Sequence, residues 1–305
     1  MRDISAKDFT LRTARARAVL TAAPATLVLI REGKVPKGDP LPVAKVAAIQ
    51  AAKNTSQLIP YCHPVPIEFV GVEFLLAETH IEATVLVKAI YRTGVEMEAL
   101  TAAAAAALTL YDMLKMLDET MMISSVQLLE KTGGKSNFAP SLRQSFRAAV
   151  LVMSDSRSQG QKPDRSGAIL REGLEAHQAV VESFVIVPDE RDQIRDAVLA
   201  ATDQLGVDLL LLTGGTGIGP RDVTPEAIGD LLDRRLPGLE DQFRAHGRER
   251  NPYAMMSRML AGQRGRTIVI ALPGSPGACR DALDAFFPYL KHAFSMREGA
   301  GHASA

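Results

Sequence analysis

Residues 208–227 read DLLLLTGGTGIGPRDVTPEA, and this stretch decides how the second half of the chain folds. Four consecutive leucines, at 209–212, leave neither side of a strand polar. Such a strand is buried on both faces, as in a parallel sheet held between helices. Glycines at 214, 215, 217 and 219 then require a loop. After it, Thr224 and Pro225 supply a helix start, the threonine as cap and the proline at the first helical position. Working outward, apolar runs of strand length recur at 148–153, 181–187 and 267–272. Helical stretches at 166–176, 191–205 and 225–234 lie between them. The alternation predicts an α/β domain, a three-layer αβα sandwich with a mostly parallel sheet, over residues 147–294.

In such a sheet, ligands bind beyond the carboxyl ends of the strands. The segments that follow the four runs are SDSRSQG (154–160), PDE (188–190), the glycine loop, and PGSPG (273–277). Free backbone N–H groups there suit an anion. Asp189 and Asp222 fall on the same rim. Each has a plain reading as a helix cap, but two carboxylates beside a phosphate-binding loop also suit Mg²⁺. The order G-G-T-G-I-G does not satisfy GxGxxG, which disfavours a Rossmann dinucleotide site.

The first half has another rhythm. Strand-like runs at 26–30, 67–76, 81–90 and 123–129 are interrupted by helical stretches at 43–53 and 95–117. In the third run Ile81, Ala83, Val85, Val87 and Ala89 alternate onto one face. In the first helix Val43, Val46, Ala47 and Gln50 share a side. The pattern predicts an α+β domain, residues 1–136, with helices on one face of a mainly antiparallel sheet. The first 24 residues are rich in Arg and Ala, as in a transit peptide, but Asp3 and Asp8 break that pattern, and no cleavage is expected. Residues 137–146, within SNFAPSLRQSF, read as a linker, and 295–305 as a tail.

Composition narrows the function. Lys plus Arg and Asp plus Glu both number 35, and this neutrality argues against a nucleic-acid or membrane-surface binder. The longest apolar stretch, 102–110, is well short of the roughly 20 residues of a membrane span. With two cysteines, Cys62 and Cys279, neither a disulfide scaffold nor a Cys-rich zinc module is available, and a reducing cytoplasm is expected. Cys62-His63 has no second Cys/His cluster to complete a metal site. Taken alone, His63 is a core or surface histidine, yet Pro60 and Pro64 stiffen the loop around it. GGKS fails as a P-loop because Leu129 stands where glycine is needed.

The long helix carries the most geometry. Glu98, Thr101, Ala105, Leu108, Asp112 and Lys115 share one face. Asp112 and Lys115 are i,i+3 neighbours, able to form an ion pair that tunes both groups, although such a pair is more often solvated decoration. At 1.5 Å per residue, Glu98 lies roughly 21 Å from Asp112 along the axis. If all three act on one substrate, the site is assembled from two subunits of a symmetric oligomer.

The strings MRDISAKDFTLRTARARA, KGDP, AAIQAAKNT, LIPYCHP, TGVEMEALTAA, LTLYDMLK and KTGGKS resemble the cyclic pyranopterin monophosphate synthase (MoaC) family of molybdenum-cofactor biosynthesis. The resemblance implies a ferredoxin-like subunit in a hexamer, with sites at dimer interfaces. It also implies conversion of a cyclised dihydroguanosine triphosphate to cyclic pyranopterin monophosphate and diphosphate, with no tightly bound cofactor. It places the acid/base pair on Asp112 and Lys115, and substrate contacts on Tyr61, Cys62, His63, Met97 and Glu98. Further basic contacts fall on Lys37, Lys53, Lys131, Arg12 and Arg15. Tyr61 stands where that family often carries an aliphatic residue, a position whose backbone makes the contact. Proton transfer in the ring rearrangement suggests a lysine of lowered pKa beside a carboxylate.

LVMSDSRS, IVPDE, LLLTGGTGIGPRDVTPEA, AMMSRMLAG and IALPGSPGA resemble the MogA/MoaB family of molybdopterin adenylyltransferases. This second resemblance implies a fold that is often trimeric, with AMP transferred from Mg·ATP to molybdopterin. Its ligand positions fall on Gly214, Gly215, Thr216, Gly217, Asp189, Asp222 and Ser275, with Mg²⁺ at Asp189 and Asp222. Together the resemblances imply a bifunctional enzyme on pterin and nucleotide substrates, homo-oligomeric as a hexamer or trimer. Two alternatives stand beside it. The second half is a non-catalytic pterin-binding or oligomerising module, or the chain is a guanine-nucleotide-binding regulator.

Overall fold

A computed structural model describes residues 1–134, 137, 145–160 and 163–297. Most of the expected linker, 138–144, and of the tail, 298–305, lies outside the described residues, as do Lys135 and Ser136. The chain divides into two compact units, Met1–Phe138 and Ala139–Ala305.

In the first unit β1 (Thr10–Thr21), β2 (Phe69–Leu76), β3 (His80–Tyr91) and β4 (Met122–Thr132) form one sheet in the order β2-β3-β1-β4. Every neighbouring pair is antiparallel. The helices are α1 (Pro24–Arg31), α2 (Pro40–Lys53), α3 (Thr55–Leu58) and α4 (Glu96–Leu114). The alternation expected for β3 is the one observed, all five residues facing the core.

β1, a central strand, was not legible. Its core side is Ala14, Ala16, Ala18 and Leu20, with Arg15 and Arg17 on the other side. Two expectations are corrected. Residues 26–30 are not a strand but the body of α1, because Pro24 opens a helix there. On α2 the buried side is Pro40, Ala44, Ala48 and Ala52, while Val43 and Val46 are 46% and 68% exposed. Alanines suit close packing of α2 on α4, whose own buried residues include Ala99, Ala102, Ala103, Ala106 and Ala107. By length and hydropathy α4 would suit a bilayer. These five alanines, Leu110 and Leu114 are instead buried in this unit's core.

The second unit orders its strands β6 (Ala179–Val187), β5 (Phe146–Met153), β7 (Leu209–Thr213), β10 (Thr267–Leu272), β9 (Leu260–Arg264) and β8 (Arg234–Arg235). The first four are parallel neighbours, and β9 and β8 add antiparallel pairs. Along β5, Ala148, Val150 and Val152 face one apolar cluster, with Leu170, Leu174 and Phe286. Ala149, Leu151 and Met153 face the other, with Ile194, Val198 and Ile228. Helices therefore cover both sides, as the leucine run predicts.

Local readings shift in three places. Phe146, assigned to the linker, is the buried first residue of β5. Residues 225–234 are not one helix: Thr224–Ile228 is followed by a 3₁₀ turn, Gly229–Leu231, and Arg234 sits in β8. Thr224 is the first helical residue rather than the cap, and its hydroxyl donates to the Gly214 carbonyl at 2.9 Å.

Candidate functional site

Two sets of chemistry sit at opposite ends of α4. At the amino end, Glu98 is a buried carboxylate beside a cavity of about 420 Å³. Tyr61, Cys62, His63 and Met97 line the same cavity, so this group from the sequence reading is brought together. Arg2 and Lys7 of the N-terminal segment also line it and were not foreseen. Burial raises the pKa of Glu98, and burial followed by the nearby Glu98 charge raises that of Cys62. Lys131 reaches this end through Glu96, at 3.1 Å.

At the carboxyl end, Lys115 Nζ lies 2.8 Å from Asp112 Oδ1. Lys37 Nζ donates to the Asp112 carbonyl at 2.8 Å and lies 3.2 Å from Oδ2. The aspartate is thus held between two lysines. Its pKa is lowered, first by Lys115 and then by Lys37, and that of Lys115 is raised by Asp112. This corrects the expectation of a lowered lysine pKa. An exposed ammonium against a carboxylate is favoured in its charged form, and the pairing with Asp112 outweighs the opposing effect of burial.

Asp112, Lys115 and Lys37 do not line the Glu98 cavity. Nor do the remaining basic candidates. Arg12 is buried on β1 and donates from Nε to the Tyr91 carbonyl at 3.0 Å. Arg15 is exposed on β1 opposite Glu130, and Lys53 is the exposed last residue of α2.

In the second unit a cleft of about 680 Å³ opens at the carboxyl ends of the parallel strands. Gly214, Gly215, Thr216, Gly217, Asp189, Asp222 and Ser275 all line it, so every residue expected there is gathered in one place. Gly214 and Gly215 have φ of 116° and 60°. A Cβ on Gly214 would meet the Met153 carbonyl oxygen at 2.3 Å, and one on Gly215 the Thr224 hydroxyl at 2.4 Å. Only glycine fits both demands. Ser275 caps the helix Pro276–Phe286, accepting from Ala278 N–H at 3.2 Å.

The rim loops are tied to one another. Asp155 N–H donates to Asp189 Oδ2 at 3.1 Å, and Asp189 N–H donates back to Asp155 Oδ1 at 3.0 Å. Arg221 grips both oxygens of Asp155, at 3.1 and 2.9 Å, and pairs with Glu190 at 2.8 Å. Burial raises the pKa of Asp189, while Arg221 lowers that of Asp155. The far wall of the cleft, with Arg250, Asn251, Tyr253, Met256 and Asp281, was missed. Arg250 lies in a turn, Asn251 caps the 3₁₀ segment Pro252–Met256 that carries Tyr253 and Met256, and Asp281 lies in the helix Pro276–Phe286, with no common spacing to link them. Among the described residues, no three His, Cys, Asp or Glu side chains gather to hold a metal ion. Asp189 and Asp222 fit Mg²⁺ only in the manner usual for that ion, as two carboxylates completed by ligand phosphates.

Comparison with known proteins agrees with this division. Residues 1–134 match the MoaC family, and residues 149–292 match the probable molybdopterin binding domain family. The bifunctional molybdenum cofactor biosynthesis protein of Chlorobaculum tepidum is 45% identical over 99% of this chain and 96% of its own length. The cyclic pyranopterin monophosphate synthase of Thermomicrobium roseum is 52% identical, over 45% of this chain and 83% of its own. A crystal structure of the molybdopterin biosynthesis enzyme MoaB from Thermus thermophilus is 42% identical over 50% of this chain and 97% of its own, with a TM-score of 0.48. With likeness to a bifunctional relative along nearly its whole length, the chain belongs to the family of bifunctional molybdenum cofactor biosynthesis proteins, a MoaC domain followed by a MogA/MoaB-like domain.

Proposed function

We propose that the first unit converts 3',8-cyclo-7,8-dihydroguanosine 5'-triphosphate to cyclic pyranopterin monophosphate and diphosphate. The observation that carries this reading is the charge layout of α4, a buried carboxylate pocket at one end and Lys37-Asp112-Lys115 at the other. Departure of diphosphate concentrates negative charge, which the Lys37 and Lys115 ammonium groups stabilise. The raised pKa of Lys115 suits a proton donor to the leaving group better than a base. Burial favours the protonated form of Glu98, which can then donate to the ring under rearrangement beside Cys62 and His63.

The two ends are roughly 21 Å apart at 1.5 Å per helical residue, so a complete site takes one end from each of two subunits in a hexamer or trimer. The β-α-β-β-α-β succession and its β4-β1-β3-β2 order support the ferredoxin-like class for this unit. The test is incubation of the full-length protein with the cyclised triphosphate and identification of products by mass. His63→Ala and Asp112→Asn subunits, each inactive alone, should regain up to about a quarter of the activity when mixed, as expected for random pairing at a shared site. Mixtures that stay inactive would refute the shared site.

For the second unit the reading is binding of molybdopterin and its adenylylation by Mg·ATP, with Gly214–Gly217 and Ser275 around the phosphates. Mg²⁺ held by Asp189 and Asp222 would neutralise phosphate charge there. Turnover of ATP and molybdopterin by the full chain tests this, and loss in Asp189→Asn and Asp222→Asn assigns it to the cleft. The two free cysteines support a reducing, cytoplasmic setting.

A further inference from the structure

The glycine-rich loop of the second unit is exposed over Ile218, Gly219, Pro220 and Arg221, and little within it sets its shape. Asp222 N–H donates to the Gly219 carbonyl at 3.0 Å, and Gly219 N–H donates to Asp222 Oδ2 at 2.8 Å. Arg221 ties the loop's outer side to Asp155 and Glu190, and its two ends are held by one distant residue. Arg258 lies just ahead of β9, and its backbone N–H donates to the Thr216 carbonyl at 2.9 Å. Its guanidinium donates from Nε to the Gly217 carbonyl at 2.7 Å and from Nη2 to the Asp222 carbonyl at 2.5 Å. The remaining Nη1 pairs with Glu226.

One planar, always-charged group therefore holds the carbonyls at both ends of the 217–222 loop. Gly217 and Asp222 line the cleft and Arg258 does not, so the two carbonyls are bonded by a group outside the lining, which fixes the spacing of Gly217 and the Asp222 backbone. Lysine cannot do this, because a single ammonium on a flexible stem does not bridge two fixed carbonyls in one plane.

We propose that Arg258 is the positioning residue of the second unit's ligand loop, holding Gly217 and Asp222 in register for the phosphates of a bound nucleotide. This rests on the reading of the cleft as a nucleotide and pterin site. It adds a residue outside the cleft lining that acts only through the loop.

The test uses the full-length protein and the variants Arg258→Lys, Arg258→Gln and Glu226→Gln. Equilibrium binding of Mg·ATP and amide hydrogen exchange at Gly219, Asp222 and Thr224 are measured for each, with thermal unfolding alongside. Both Arg258 variants should weaken Mg·ATP binding about tenfold or more, the loss of one or two charge-assisted hydrogen bonds. Exchange should quicken at those three amides while strand β7 keeps its protection. Glu226→Gln removes the ion pair but leaves both carbonyl contacts, and should change neither reading.

Wild-type binding by Arg258→Lys, or equal weakening by Glu226→Gln, would overturn the proposal. So would faster exchange spread over the whole unit, which marks a stabilising ion pair instead. If the wild-type chain itself binds no Mg·ATP, the reading of the cleft fails, and unchanged exchange in Arg258→Lys would then separately refute the clamp.

Discussion

Gly214→Ala and Gly215→Ala should differ in cost although the two residues are adjacent. At Gly215 the φ of 60° lies in the left-handed region, which costs an L-residue about 1–2 kcal/mol. The new methyl would also meet Thr224 Oγ1 at 2.4 Å, but that hydroxyl is on a side chain. It can rotate away at the loss of its bond to the Gly214 carbonyl, about 1 kcal/mol. The sum is about 2–3 kcal/mol. At Gly214 the φ of 116° falls outside even the left-handed well, and the methyl meets a backbone oxygen, Met153 O, at 2.3 Å. No rotation relieves that contact. β5 or the loop must shift, and the expected cost is about 4 kcal/mol or more. Because the chain has two units and no tryptophan, the assay is urea unfolding read by pulse proteolysis, scoring peptides from residues 146–297. A Gly215→Ala protein as unstable as Gly214→Ala, or both within about 0.5 kcal/mol of wild type, would refute this account of the loop.

Other outcomes follow from the same geometry. Asp112→Asn should return the Lys115 pKa toward its ordinary value, measured by heteronuclear NMR of the side-chain Nζ, and an unchanged value would show the 2.8 Å pair is not formed in solution. Glu98 has a raised folded-state pKa, so the folded protein binds more protons than the unfolded one, and this residue's contribution to stability falls as pH rises above the ordinary glutamate range. Glu98→Gln should therefore flatten the loss of stability on that side in a pH series of melting curves, while lowering product formation. Glu240, buried, accepts from Ala261 N–H at 3.1 Å and pairs with Arg235 and Arg244 at 2.7 and 2.9 Å. Glu240→Ala should cost about 3 kcal/mol in chemical denaturation, since it leaves an interior amide and the Arg235 guanidinium without this acceptor and Arg244 with Asp241 alone, at 3.0 Å.

What could be read in advance followed from side chains whose chemistry leaves little choice. The leucine run of β7 and the glycines after it lead directly to a two-sided sheet and a cleft at its carboxyl edge. The alternation of β3 needs only period two and β-branched residues. β1 has the same period, but its core side is alanine, a strong helix former, and its outer side carries arginines. The strand exists because it lies between β3 and β4 and is held by their ladders. The run TLVLI at 26–30 suits a strand by propensity, and its helical state is set by Pro24 and by Thr26, Leu27 and Ile30 packing inward. α2 inverted for a related reason: valines outrank alanines in hydrophobicity, yet close approach to α4 selects the smaller residue. The cleft's glycine and carboxylate residues were legible by type and spacing. Arg258, Arg221 and Asp155 were not, since hydrogen bonds across 34 to 66 residues leave no period to detect.

The helix α4 acts as a ruler. Inserting one residue between Glu98 and Asp112 would turn everything beyond it by about 100° and advance it by 1.5 Å. Asp112 and Lys115 would then face a different direction from the one the buried carboxylate end specifies, and Asp112 would turn away from Lys37. Variation in length should accordingly collect in turns such as 77–79, between β2 and β3, and 116–121, after this helix, and the count of residues between its two working ends should resist change even where the alanines themselves are exchanged.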